Sequence, residues 1–184
     1  KLSGKCTETC QSYAFMFKTA TPDLYPELWK TLLDDFGPKR KETRKHPEIY
    51  FSNAFIGNYL RLELLSRAGL GRQLLDETKG YFKYMAERTG TLWENDTPHA
   101  SCNHGFASHA AVFHVRDVIG VKGVDVRAKT VTLAATDADR EVCEAAPPVP
   151  GGATLLARRV PGGPPPHPRP LPAGWPRAPH PPPT

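Results

Sequence analysis

The chain has 184 residues with a formal net charge of +5, including 20 prolines and four cysteines. That length suffices for one domain with a sizeable core. Cys6, Cys10, Cys102 and Cys143 are too few and too scattered for a disulfide framework, so reduced thiols in a cytoplasmic protein are expected. No run of 18 apolar residues is present to span a membrane, and the opening KLSGKCTET has no hydrophobic signal core. Fifteen of the 20 prolines lie between Pro147 and Pro183, and no Asp or Glu follows Glu144.

In chain order, residues 7–19 read as a helix. Its Tyr13, Ala14, Phe15, Met16 and Phe17 make it apolar nearly all round, which predicts a buried position. A second helix follows Pro26, which suits a first helical turn. Leu28, Leu32 and Phe36 repeat on one side, Trp29 is a core residue among leucines, and Gly37-Pro38 is the stop. Residues 38–47 form a basic loop containing Lys39, Arg40, Lys41, Arg44 and Lys45. Such runs are usually solvated surface. No aromatic residues interleave with these cations, so a stacking platform is absent and nucleic acid is not an expected partner.

The longest helical pattern runs over 49–68 and ends at Gly69. Another amphipathic helix spans 72–88, with Leu74, Leu75, Phe82 and Met85 inward and Gly90 as its stop. A fifth helix is expected over 105–118. Beyond it, Val124 with Val126 and Val131 with Leu133 alternate with polar neighbours and suggest one or two short strands. From residue 145 onward the proline-rich, acid-free chain cannot build a sheet interior, because proline lacks the ladder donor. A disordered or aberrant tail is expected there.

Between the fourth and fifth helices lies GTLWENDTPHASCNHGFASH, residues 90–109. An indole beside a carboxylate suits a sugar site. The ring offers a flat face to a pyranose, and Glu94 can activate water, with Asp96 and His104 as further hydrogen-bonding groups. The spacing alone equally fits a helix-connecting loop with capping Asp and Asn. Cys102 and His104 with Cys6 and Cys10 would make four metal ligands on paper. However, no C-x-x-C pair exists, and zinc sites show tighter spacings, so neither metal nor cofactor is expected. His104, His109 and His114 recur every five residues, about 140° apart on a helix, and cannot share one face. Glu8 favours a helix N-terminus, with pocket lining as its alternative role.

Taken together, TETCQSYAF, NAFIGNYLRLELLSRAG, GTLWEN and SCNHGFASH with RDVIGV resemble the C-terminal part of the catalytic domain of bacterial α-L-rhamnosidases, over roughly residues 5–120. The resemblance implies an all-α fold: an incomplete (α/α)6 toroid of about five helices over 1–120. It is followed by the start of a small β-sandwich over 121–144 and the proline-rich tail over 145–184.

It also implies inverting hydrolysis of terminal α-L-rhamnosyl residues, with Glu94 as general base. His104 would hydrogen-bond the sugar hydroxyls, and Trp93, Asn103, Asp96 and Glu8 would complete the substrate site. The implied partner is a rhamnose-containing glycoside or oligosaccharide, together with the remainder of the catalytic domain. The family's general acid lies in an Asp-rich segment upstream of the first helix. Nothing in this chain matches that segment, so the chain alone is expected to be inactive. The rival readings are another (α/α)6 sugar hydrolase and a non-catalytic helical scaffold that binds protein. The 34- to 47-residue period expected of a helical-repeat scaffold is absent.

Overall fold

The computed structural model describes residues 4–53, 56–95, 97, 99–125, 127–128, 130–134 and 138. It also describes the backbone of five short strands between 143 and 169. The fold is mostly helical with a few short strands. Contacts divide the chain into two units, Lys1–Phe113 and His114–Thr184, and the division falls inside the helix expected over 105–118.

In the first unit, strand β1 (Cys6–Thr7) leads into helix α1 (Glu8–Met16). Thr7 is the N-cap, and its hydroxyl accepts the Cys10 N–H at 3.0 Å. The helix is not buried all round. It buries Glu8, Ser12 and Phe15, while Phe17 stays 70% exposed and stacks on the exposed Tyr13. Helix α2 (Pro26–Asp34) starts at proline as expected and packs Leu32 against Phe15, Phe36 and Leu64, with Trp29 against the edge of this cluster.

The basic loop contains a short helix, α3 (Arg40–Thr43), which ends at Arg44 in the left-handed conformation (φ 55°). Residues 49–50 are not helical. They form β2 (Ile49–Tyr50), parallel to β1 with Cys6 opposite Ile49 and Thr7 opposite Tyr50. The cause is the buried Arg40. Its guanidinium donates to the carbonyls of Lys45 (2.8 Å), His46 (2.8 Å) and Ile49 and to the Glu8 carboxylate (2.5 Å). Glu8 also accepts the Ser52 N–H at 3.2 Å. These bonds use backbone groups a helix would need for itself, so residues 49–53 are not helical, and the next helix is α4 (Ile56–Arg67).

Helices α4 and α5 (Gly71–Thr89) form a hairpin through Gly69. A second buried ion pair locks it. Arg61 donates to Glu77 at 2.5 and 2.7 Å and to the Leu32 and Leu33 carbonyls, which ties the hairpin to α2. Gly37 (φ 98°) is required where this guanidinium passes, because a Cβ there would lie 2.6 Å from Arg61 Nε. The larger core joins Leu62 and Leu65 of α4, Leu74, Tyr81, Phe82 and Met85 of α5, and Trp93, with Ala107, Ala110 and Phe113 beyond the loop. The expected last helix is in fact a 3₁₀ turn (Gly105–Ser108), helix α6 (His109–Phe113) and a π-helical segment (His114–Ile119).

In the second unit, β3 (Val121–Asp125) and β4 (Thr130–Leu133) form an antiparallel ribbon that buries Ile119 and Val121, with Val131 and Leu133 packed against them. The proline-rich segment holds more strand than its composition predicted. β5 (Cys143–Ala145), β8 (Leu156–Arg159) and β9 (Pro168–Arg169) form a three-stranded sheet in that order. β6 (Pro148–Val149) pairs with β7 (Ala153–Thr154). The central strand, LARR, has no proline, while Pro148 and Pro168 lie on strands with a free edge, to which proline within sheets is largely confined.

Candidate functional site

The loop after α5 is tied down at its neck. Gly90 ends the helix in the left-handed conformation (φ 72°), and its N–H bonds to the Ala86 carbonyl. The Thr91 hydroxyl donates to the Cys102 carbonyl at 2.5 Å. The His104 N–H reaches the Leu92 carbonyl at 2.8 Å, and the Glu94 N–H reaches the Ser101 carbonyl at 2.9 Å. These bonds zip the two ends of the loop together, with Glu94 on one side of the neck and His104 on the other.

Glu94 is half-buried, and its carboxylate accepts the Ser101 N–H at 3.5 Å. Among the described residues that one long bond leaves lone pairs for a water, which is what general-base chemistry requires. His104 is half-buried and leads into the 3₁₀ turn. Asn103 is exposed, and its carbonyl accepts from the Ser101 hydroxyl at 3.1 Å. Asp96 lies outside the described residues.

Two of the expected site residues sit in the interior. Trp93 is 1% exposed. Its indole donates to the Thr89 hydroxyl at 2.8 Å and meets the Tyr84 ring at 5.3 Å, so it is a core residue rather than an open platform for a sugar. Glu8 is 2% exposed. It is paired with Arg40 and hydrogen-bonded to Ser52, with both oxygens engaged inside the protein. Glu94, His104 and Asn103 lie on the loop, and Glu8 belongs to a separate interior lock.

Of the remaining histidines, His99 is exposed. His109 Nδ1 donates to the Phe106 carbonyl (2.9 Å) among the rings of Tyr59, Phe82, Phe106 and Phe113.

Two concave surfaces had not been singled out in the sequence. A groove of about 390 Å³ runs between α1 and α4, with Tyr13, Phe17, Tyr59 and Phe106 among its lining residues. A smaller pocket of about 220 Å³ gathers Arg40, Arg44 and Lys45 with Tyr50 and Phe51. Its sequence signal was the Tyr50-Phe51 pair soon after the basic run, and the extended β2 carries that pair back beside the cations.

Among the described residues, no three His, Cys, Asp or Glu side chains gather as a metal site, and no helix is long and apolar enough to cross a membrane. No protein-family model, curated protein or solved structure matches the chain.

Proposed function

We propose that this chain carries the base-bearing loop of an inverting glycoside hydrolase of the α-L-rhamnosidase type, built on an (α/α)6 toroid. The observation that carries the reading is the half-buried Glu94 carboxylate on a loop closed by the Leu92–His104 and Glu94–Ser101 backbone bonds, with His104 on the same loop. The four sequence motifs add their joint likeness to that family. Glu94 takes the proton of the attacking water, and His104 binds sugar hydroxyls. An inverting enzyme needs a second carboxyl group roughly 6.5–9.5 Å from the base. The matching acid segment is not in this sequence, so the chain alone binds sugar without cleaving it.

The test is ligand-observed NMR with L-rhamnose, glucose and arabinose, alongside an assay on an aryl α-L-rhamnoside. Rhamnose binding that weakens in His104→Ala, with no turnover, is the expected result. Turnover that vanishes in Glu94→Gln would refute the claim of an incomplete site, and equal binding of all three sugars would remove the rhamnose assignment. A non-catalytic helical scaffold is the second reading. The burial of Trp93 favours it, because a covered indole offers no face to a pyranose.

A further inference from the structure

The pocket beside α3 is a built recess with one unspent charge. Arg40, Arg44 and Lys45 lie in its wall, none of its lining residues is acidic, and Pro47, Tyr50 and Phe51 make its apolar side. Two of the three cations are already neutralised. Arg40 is buried against Glu8 at 2.5 Å, and Lys45 reaches Asp35 at 2.5 Å. Arg44 is exposed, and among the described residues its guanidinium has no carboxylate partner. The recess therefore holds one uncompensated guanidinium, a planar fork that matches a carboxylate bidentately. A single cation suits a monoanion better than a doubly charged phosphate.

The aromatic wall is held in advance. The Arg40 guanidinium lies 4.5 Å from the Phe51 ring centroid, and the β1–β2 pairing sets the Tyr50 backbone, yet Phe51 remains 39% and Tyr50 56% exposed. A ring held before binding, as Phe51 is, lowers the ordering cost of binding. At about 220 Å³ the recess is smaller than the roughly 300–1,000 Å³ typical of drug-sized sites, so it fits one ring and not a chain of them.

We propose that this pocket binds a single six-membered ring bearing one carboxylate, with the carboxylate on Arg44 and the ring against Tyr50 and Phe51. An acidic sugar and an aromatic acid both supply that chemistry. The assignment is independent of the hydrolase reading, since it uses none of Glu94, His104 or Trp93.

The experiment is an amide-detected NMR titration of the full chain with glucuronate, benzoate, glucose and inorganic phosphate. Saturable shifts confined to residues 44–51, at dissociation constants on the order of 1 mM, are expected for at least one of the two carboxylates. Glucuronate alone would identify an acidic sugar, and benzoate alone an aromatic acid. Arg44→Gln, at an exposed position, should weaken binding about tenfold while leaving the rest of the spectrum in place. Phe51→Leu should weaken it by removing the flat face. The proposal is overturned by any of four results: no saturable shift with either carboxylate, glucose binding as well as glucuronate, phosphate binding as tightly as the ring acids, or unchanged affinity in Arg44→Gln.

Discussion

His109 shows how one side chain can couple stability to pH. Its Nδ1–H bonds to the Phe106 carbonyl, while Nε2 is buried with no hydrogen-bond partner among the described residues. Four aromatic rings stand 5.4 to 5.9 Å from its centroid. Burial holds the imidazole below its ordinary value, and the Phe106 bond opposes that shift without overcoming it. An unfolded histidine takes up its proton near pH 6.5, whereas the folded one resists it. The stability contributed by neutral His109 is therefore fully present above about pH 6.5 and is lost as pH falls from there through the folded pKa. Urea unfolding at pH 7.5 and 5.5 should show the wild type losing more stability than His109→Phe. Equal losses in both proteins would mean that the ring titrates freely.

At the scale of elements, Arg40 joins α3, β2 and α1 through one guanidinium. Glu8→Gln keeps the shape but leaves a buried cation without its counter-charge, a loss worth about 3–5 kcal/mol. Chemical denaturation should show a cost of that order, and a change below about 1 kcal/mol, typical of a surface pair, would place the pair in effective contact with water. The same guanidinium explains which elements could be read from the sequence. α2 and α5 follow from apolar spacing bounded by Pro26, Gly37 and Gly90, which are local signals. β2 does not, because Ile49 to Phe51 continue a helical apolar pattern. What overrides the pattern is a side chain nine residues upstream taking the Ile49 carbonyl. Trp93 misleads for a related reason. Beside Glu94 it reads as a site residue, but the Thr89 hydroxyl and Tyr84 of the preceding helix draw the indole into the core. The loop between α5 and the next helical segment was legible because Gly90 and Gly105 mark its ends locally. The Arg44–Phe51 pocket was not, because it depends on the extended strand.

Across the first unit, apolar surface is left uncovered. Tyr13, Phe17 and Phe106 are exposed around the groove between α1 and α4, and a groove with this much aromatic lining exceeds the scattered single residues normal on a surface. The groove should bind a hydrophobic dye such as ANS in the folded protein. Phe17→Ser, at the most exposed of these rings, should reduce the fluorescence by a large fraction without lowering the unfolding midpoint. Dye binding that is unchanged by the substitution would locate the apolar surface elsewhere.

The neck of the 92–104 loop also bears on how this molecule could diversify. The bonds that close the loop lie between residues at its two ends and use backbone atoms almost throughout. Closing a longer loop on the same neck costs only about 0.6 kcal/mol for each doubling of its length. Residues between 95 and 100 can therefore be exchanged or extended while the Leu92–His104 and Glu94–Ser101 bonds stay in place. The tip is a replaceable module on a fixed base, where a lineage or an engineer can graft new recognition without rebuilding the helices.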